Sequence, residues 1–363
     1  MNILQILGGG ISATKYGSLE HYFHQLVKLN GDDKYFFIYD APIVNKVYER
    51  DMISAGAKIL VIDPRQSVMS YTLAIYKIIK EKKIKIVQFH FGNYKYAFFL
   101  RLLCPNVTFL ALYHLEAYYP LLRTRLAMRL YHCAFKRIFC VSEGVKRGLE
   151  KTLGKSKKFQ VLYLGVRKRP ILNLQLKETL NIPVESLVIS CFGFNIKVKG
   201  LDILISAIKN IISNNSTTKF KVLIVGVVGD ENDKLIKLIK DADLEDHIIS
   251  LGIRNDIDDI LNITDIYVQP SRTEALSLSI LEAMNYAIPI IASNVGGIPE
   301  VVQDGYNGYL FEKENSSELS EKLTLLINDE DTRTLFGMNS KKLSRNFSLD
   351  KSVQELSAIY HKK

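Results

Sequence analysis

The chain has 363 residues, and 47% of them are hydrophobic, which is enough for the cores of two domains rather than one. Its net charge of +10 is unevenly distributed, because residues 1–165 hold 25 Lys and Arg against 11 Asp and Glu, whereas residues 166–363 hold 23 against 27. The four cysteines form no C-x-x-C pair, which argues against a zinc site and favours buried thiols in a reducing cytosol.

The N-terminal segment, MNILQILGGG, predicts a short strand followed by a glycine-rich loop. It lacks the charged start of a signal peptide, and no apolar run in the chain reaches transmembrane length, so we expect a cytoplasmic protein. Gly8–Gly10 and Gly17 then precede a predicted helix at 19–30. This order is typical of phosphate binding at a helix N-terminus. The glycines do not have the G-x-G-x-x-G spacing of dinucleotide-binding loops, however, and a plain βα turn is equally consistent.

Apolar strands and amphipathic helices alternate through the first half, which predicts a parallel sheet with helices on both faces. Two histidines stand where predicted strands end, His90 and His114. Ligands of such sheets bind at the carboxyl ends of the strands, so both are candidate site residues, with a structural role as the alternative. Glu116, two residues after His114, is a further candidate site residue, against the alternative of a solvated loop acid.

An arginine-rich helix is predicted within residues 120–137. Leu122, Leu126 and Leu130 share one helical face, which favours packing of these leucines on the sheet. The alternative is a surface helix that contacts anionic lipid headgroups. The charge balance of residues 1–165 favours an anionic partner for this half of the chain.

The most informative stretch runs from Gln269 to Gly305, with the sequence QPSRTEALSLSILEAMNYAIPIIASNVGGIPEVVQDG. A strand leads into a Pro-Ser turn, a helix at 278–286 and a second strand, and a Gly-Gly pair follows. Glu274 lies in the loop before the helix, and Glu282 lies about two turns into it among apolar neighbours. A carboxylate in such surroundings costs several kcal/mol unless it is satisfied, so a binding role competes here with a solvated helix face.

Two glutamates eight residues apart, then a strand and Gly-Gly-Ile-Pro-Glu, resemble the donor-nucleotide signature of the family 4 retaining glycosyltransferases. This resemblance implies the α/β fold called GT-B, in which two Rossmann-like, doubly wound parallel-sheet domains face each other across a cleft. Residues 1–166 would be the acceptor-binding domain and 167–347 the nucleotide-sugar domain, with the C-terminal helix at 348–363 crossing back to the first. The chain departs from the family pattern at Ala287, where glycine is usual.

The resemblance also implies roles for individual residues. Glu282 would bind the ribose hydroxyls, and Glu274 would contact the hydroxyls of the transferred sugar. His114 would lie close to the acceptor and this sugar, and His90 matches a weaker family position. Backbone amides at the start of the helix would approach the sugar and phosphates, namely those of Leu276, Ser277 and Leu278.

For the donor diphosphate, Lys199 matches a family lysine whose ammonium would neutralise the leaving group. Gly17 matches the first glycine of the family's Gly-Gly-x-Glu loop. Phe194 stands where the family has an arginine. Either Lys197 or a neutral hydrogen bond from Asn195 would replace that arginine.

We therefore expect a metal-independent, hexosyltransferase-type glycosyltransferase that needs no cofactor, because no Asp-x-Asp signature ends a strand and the nucleotide-sugar is itself a substrate. It would move a sugar from a nucleotide-diphosphate sugar, first of all a UDP-sugar, to a saccharide acceptor. That acceptor would be lipid-linked and belong to bacterial surface polysaccharide synthesis. The basic domain would contact the inner face of the cell membrane, and nucleic acid is not an expected partner. The alternatives are a GT-B-shaped sugar-nucleotide epimerase and a non-catalytic module that binds membranes or other anions.

Overall fold

The computed structural model describes residues 1–7, 17–63, 65–92, 94–115, 122–213 and 219–362. The predicted loop at 8–10 and Glu116 lie outside these residues. The chain divides into two compact units. The first comprises Met1–Gly165 together with Leu349–Lys363, and the second comprises Val166–Ser348.

The described part of the first unit contains a seven-stranded sheet in which all neighbouring strands are parallel. The strands are β1 (Asn2–Leu7), β2 (Lys34–Tyr39), β3 (Lys58–Val61), β4 (Ile86–His90), β5 (Thr108–Tyr113), β6 (Arg137–Cys140) and β7 (Phe159–Val161). Their order is β3-β2-β1-β4-β5-β6-β7, so the direction of sheet growth reverses between β1 and β4. Ligands of open α/β sheets bind at such a switch point, at the carboxyl ends of the strands.

Helices connect these strands, as parallel pairing requires. They are α1 (Ser18–Leu29), α2 (Lys46–Ser54), α3 (Val68–Glu81), α4 (Tyr94–Leu103), α5 (Leu122–His132) and α6 (Glu143–Leu153). Strands β4 and β5 are buried along almost their whole length, which is typical of a parallel sheet covered on both faces.

The second unit repeats this architecture with six parallel strands, in the order β10-β9-β8-β11-β12-β13. The strands are β8 (Leu187–Phe192), β9 (Phe220–Val225), β10 (Ile248–Ser250), β11 (Ile266–Gln269), β12 (Ile290–Ser293) and β13 (Gly308–Phe311). The helices are α7 (Leu176–Thr179), α8 (Ile196–Lys199), α9 (Leu201–Ser213), α10 (Asp230–Asp241), α11 (Ile257–Asn262), α12 (Leu278–Asn285), α13 (Ser316–Asn328) and α14 (Glu330–Ser344), with 3₁₀ turns at Ile298–Glu300 and Arg345–Phe347. Side chains alternate along β8, with Ile189 and Cys191 in a large core on one face and Val188 in a smaller core on the other.

The last helix, α15 (Leu349–His361), belongs to the first unit and packs against α1. Its Asp350 accepts a hydrogen bond of 2.9 Å from Gln25 on α1. Its Tyr360 is buried and inserts its hydroxyl between Gln5 on β1 and Gln88 on β4. The C-terminal residues therefore complete the first unit beside its switch point.

Helix α5 forms where the arginine-rich segment predicts it, but the predicted packing of its leucines on the sheet is wrong for Leu126 and Leu130. Their side chains are 56% and 49% exposed. The helix instead turns His132 inwards, where its Nε2 lies 2.6 Å from the hydroxyl of Tyr113. No helix among the described residues has both the length and the apolar character that crossing a bilayer requires.

Candidate functional site

The second sheet reverses its direction of growth between β8 and β11, and the loops after these strands are packed together. Gly200, between α8 and α9, has a φ of +65°, and a Cβ there would lie 1.9 Å from the carbonyl oxygen of Pro270 in the loop after β11. Only glycine permits this approach. The backbone amide of Arg272 also donates to the carbonyl of Val198 over 2.9 Å. These contacts bring the end of α8 against the loop that follows β11.

Lys199 and Glu274 meet at this junction. The Lys199 Nζ lies 2.6 Å from the Glu274 Oε2, and the two side chains are only 14% and 13% exposed. Ser271 donates its hydroxyl to the same carboxylate oxygen over 3.2 Å, and Gln269 donates to Ser271 over 2.8 Å. Tyr267 in turn donates to Gln269 over 3.0 Å, and burial raises the pKa of this tyrosine well above its usual value. The Glu274 carboxylate is thus held both by a buried hydrogen-bonded chain that ends at Ser271 and by the ammonium of Lys199.

The start of α12 lies in the next segment of the same loop. Ser277 is its N-cap, and its hydroxyl accepts from the amide of Ile280 over 3.4 Å. Among the described residues, the amides of Leu276, Ser277 and Leu278 have no hydrogen-bond acceptor. Unpaired amides at a helix start carry partial positive charge and favour an anion. The site therefore combines one lysine with a set of free amides.

Glu282 lies one to two turns further along α12 and is not in bulk solvent. Its side chain is 14% exposed, and its Oε1 lies 3.9 Å from the Nη2 of Arg169. Arg169 also binds Asp258 through its Nε, and its backbone amide donates to the same carboxylate over 2.9 Å. The sequence does not mark Arg169 as a site residue, because it lies at the start of the predicted second domain and belongs to no motif.

The residues around the missing family arginine have mostly local partners. Phe194 is 63% exposed, and its ring centroid lies 5.9 Å from the Lys199 Nζ. Asn195 caps α8 by accepting from the amide of Val198 over 2.8 Å, so its carbonyl oxygen is used within the helix. Lys197 is paired with Asp202 over 2.9 Å. Its side chain is 78% exposed, and its role as a replacement for the arginine stays a prediction.

The first unit brings together its two candidate histidines. His90, fully buried at the end of β4, places its Nδ1 2.9 Å from the Nε2 of His114, which follows β5. Burial lowers the pKa of His90 well below its usual value and that of His114 to about 3, so both are neutral at pH 7. Gly17 is the N-cap of α1, and its amide already donates to the carboxylate of Glu20 over 3.1 Å. That amide is therefore not free to bind a phosphate in this structure.

No group of three or more His, Cys, Asp or Glu side chains within the described ranges is arranged so that it could hold a metal ion. The pairs brought together at the two switch points consist instead of a Lys with a Glu and of two histidines. The first pair is suited to binding an anion together with hydroxyl groups, and the second to hydrogen bonding with a neutral ligand.

Residues 174–343 match the sequence model of the family described as glycosyl transferases group 1. The chain is 36% identical over 230 residues to an uncharacterised glycosyltransferase of Methanocaldococcus jannaschii, covering 62% of this chain and 59% of the relative. It is 30% identical over 154 residues to the UDP-Gal:alpha-D-GlcNAc-diphosphoundecaprenol alpha-1,3-galactosyltransferase of Escherichia coli, covering 42% of this chain and 40% of that enzyme. The chain thus spans about half the length of the curated relatives it matches.

The structure of HepE from Anabaena in complex with UDP-glucose has a TM-score of 0.82 to this chain at 20% identity, with 99% of both chains covered. Together with the two helix-covered parallel sheets, this likeness defines the class: the chain has the α/β fold of GT-B proteins, which confirms the predicted fold. Residues 174–343 are a group 1 glycosyltransferase domain, of the type found in family 4 glycosyltransferases. The family resemblance of the stretch from Gln269 to Gly305 is confirmed with it.

Proposed function

We propose that this protein is a retaining glycosyltransferase that moves a hexose from a nucleotide-diphosphate sugar to a hydroxyl of a saccharide acceptor. The observation that carries the proposal is the Lys199–Glu274 pair, 2.6 Å apart beside the open N-terminus of α12 within the group 1 domain. A cation, free amides and a fixed carboxylate are the groups that a diphosphate joined to a sugar requires.

The chemistry follows from where charge develops. Breaking the bond between sugar and diphosphate leaves negative charge on the diphosphate, and donors that are already oriented stabilise this charge without reorganising. On donor binding, the Lys199 ammonium would turn from Glu274 to the phosphate oxygens, and the amides from Leu276 to Leu278 would donate to the same group. Glu274, still held by Ser271 over 3.2 Å, would then accept hydrogen bonds from the sugar hydroxyls. One pair would thus bind both halves of the donor.

Glu282 supplies the remaining contact in this proposal. Its carboxylate can accept a hydrogen bond from each of two neighbouring ribose hydroxyls. Arg169, 3.9 Å away, lowers the cost of keeping this carboxylate ionised in a site where it is 14% exposed. Loss of Glu282 should therefore weaken binding of any nucleotide, whatever sugar it carries.

The names of related proteins support a UDP-sugar donor and a lipid-linked acceptor. The E. coli relative is named for UDP-Gal and for a saccharide carried on diphosphoundecaprenol, and the HepE structure contains UDP-glucose. A relative from Staphylococcus aureus that is named as a capsular polysaccharide biosynthesis glycosyltransferase supports a role in bacterial surface polysaccharide synthesis. In this proposal Lys199 and the amides neutralise the charge of the diphosphate, and EDTA should therefore leave the activity unchanged.

Helix α5 supports contact with an anionic membrane by the first unit. Leu126 and Leu130 are exposed on the same helix that carries Arg125 and Arg129, within a sequence half that is strongly basic. The protein should co-sediment with vesicles containing phosphatidylglycerol and much less with purely zwitterionic vesicles. Changing both leucines to serine should reduce this binding. Equal binding by this variant and the unchanged protein would remove α5 from the contact.

The proposal is tested by thermal shift with UDP, GDP and ADP sugars, followed by transfer of labelled sugar to diphospholipid-linked saccharides. We expect a shift with one nucleotide class, its loss in Glu282→Ala, and its retention in the control Glu321→Ala, which changes an exposed glutamate on α13. Glu274→Ala should reduce turnover more than nucleotide affinity. No shift with any donor would contradict the proposal, and an epimerised nucleotide-sugar formed without acceptor would favour an epimerase instead.

A further inference from the structure

We propose that His90 is a positioning residue that fixes the tautomer of His114, through a hydrogen-bonded chain that runs by way of Gln5 and of Tyr360 on the C-terminal helix to Gln88. This inference deepens the proposed function, on which its catalytic meaning rests. The chain is built entirely within the first unit, and it explains why several polar side chains are buried beside the switch point between β1 and β4. Its members are His114, His90, Gln5, Tyr360 and Gln88.

Every link of this chain has the length of an ordinary hydrogen bond. His90 Nδ1 lies 2.9 Å from His114 Nε2, and His90 Nε2 lies 2.9 Å from the Oε1 of Gln5. The Nε2 of Gln5 donates to the Tyr360 hydroxyl over 2.9 Å, and this hydroxyl donates to the Oε1 of Gln88 over 2.6 Å. Gln5, Gln88 and His90 are fully buried, so water does not compete for these contacts.

The positions of the imidazole protons follow from the contact between His90 and Gln5. The Oε1 of Gln5 is only an acceptor, so the facing Nε2 of His90 carries the proton. A neutral imidazole has one N–H, and the Nδ1 of His90 is therefore an acceptor. The Nε2–H of His114 donates to it, which leaves the Nδ1 of His114 with a lone pair. Among the described residues this Nδ1 has no hydrogen-bond partner.

Two further observations show that this arrangement is maintained at a cost. Phe91 has a φ of +51°, a left-handed conformation that costs an L-residue about 1–2 kcal/mol, and its ring stacks on His114 with centroids 4.1 Å apart. The Nε2 of Gln88 is buried without a hydrogen-bond partner in the described part of the chain, whereas the oxygen of the same amide accepts from Tyr360. Strain and an unpaired amide beside a ligand-binding edge are typical of a functional site.

The consequence for the reaction concerns the role of His114. A neutral imidazole with its lone pair on Nδ1 accepts a hydrogen bond from a hydroxyl. Burial lowers the pKa of His114, which makes its imidazole a weak base. His114 would therefore orient the hydroxyl of a bound sugar or acceptor rather than remove the proton of that hydroxyl. His90 does not touch the substrate in this scheme. It acts by preventing His114 from adopting the tautomer that has its N–H on Nδ1.

The direct test is long-range ¹H–¹⁵N NMR of the histidine side chains in the full-length protein without substrate. We expect His114 to be protonated at Nε2 and unprotonated at Nδ1 at pH 7, and His90 to have the same tautomer. A single Nδ1–H tautomer of His114, or equal populations of the two, would overturn the inference. This measurement is independent of glycosyl transfer, so it can fail while the proposed function holds, and the reverse.

The variant Gln5→Met removes the acceptor that sets the chain, and we expect it to yield a mixture of His114 tautomers. It should also lower kcat/KM for the acceptor about tenfold, while the thermal shift with nucleotide is unchanged. Gln25→Met is the matched control, because among the described residues Gln25 donates only to the exposed Asp350. If Gln5→Met loses stability but keeps a single His114 tautomer and the same kcat/KM, then Gln5 serves only to stabilise the fold. The proposed control of the His114 tautomer by the hydrogen-bonded chain is then refuted.

Discussion

The ion pair between Lys199 and Glu274 allows a quantitative test of the site. The variant Lys199→Met removes the cation but keeps a side chain of similar length. Glu274 would then be left as a carboxylate that is 13% exposed, and its one remaining side-chain partner within the described part of the chain would be the hydroxyl of Ser271 at 3.2 Å. Leaving a buried charge without its counter-ion costs about 3–5 kcal/mol, so we expect a loss of about 3 kcal/mol in the free energy of unfolding.

Lys197→Met is the matched control, because Lys197 lies on the same short helix. Its side chain is 78% exposed, and its partner Asp202 also binds Arg272 over 2.7 Å. Exposed ion pairs contribute about 0–1 kcal/mol, so this variant should lose less than about 1 kcal/mol. The two variants remove the same charge, and their difference therefore reports the burial of the Lys199 pair.

Urea unfolding followed by circular dichroism measures both losses. Adding Glu274→Gln to Lys199→Met should recover about 1–3 kcal/mol, because the second change removes the isolated charge. Lys199→Met should also abolish the thermal shift given by the preferred UDP-sugar, whereas Lys197→Met should retain it. Equal losses of stability in the two single variants, or no recovery in the double variant, would refute the assigned ion pair.

Three further predictions concern pH and the backbone. Burial lowers the pKa of His132 to about 4, so as the pH falls below about 6.5 the unfolded chain takes up a proton that the folded chain does not. The free energy of unfolding should fall by up to about 1.4 kcal/mol per pH unit from this residue, and urea titrations at pH 7 and pH 5 should show a smaller difference for His132→Phe; an unchanged difference would contradict the argument. Ala287 has a φ of +58°, so Ala287→Gly should raise the free energy of unfolding by up to about 1 kcal/mol and with it the melting temperature. A lower melting temperature in this variant would contradict the argument. Gly200→Ala places a Cβ 1.9 Å from the carbonyl of Pro270, so it should reduce both stability and the UDP thermal shift, and a variant that binds UDP normally would show that the approach of α8 to the loop is dispensable.

The sequence predicts the architecture well, because alternating strand and helix patterns lead to parallel sheets and the stretch from Gln269 to Gly305 carries a specific signature. The same stretch identifies Glu274 and Glu282 as candidates. What the sequence does not contain is the contact between α8 and the loop after β11. That contact depends on the close approach at Gly200, which a one-dimensional pattern does not reveal.

Other features depend on tertiary structure in the same way. The hydrogen bond between His90 and His114 follows from the register of β4 with β5, and Tyr360 reaches this region only because α15 packs against α1. The leucine spacing of α5 predicts a buried stripe, but the helix is rotated so that His132 is buried instead. No sequence motif marks Arg169, because its place in the candidate site depends only on its position beside Glu282 in the folded chain.

In the proposed function, a nucleotide diphosphate binds at the switch point of the second unit, between the end of α8 and the start of α12. Hydrogen–deuterium exchange with and without saturating UDP locates this binding site. We expect slower exchange in peptides that cover residues 193–202 and 272–285, with the largest effect at the amides of Leu276, Ser277 and Leu278. Protection by bound UDP that spares both segments would contradict it.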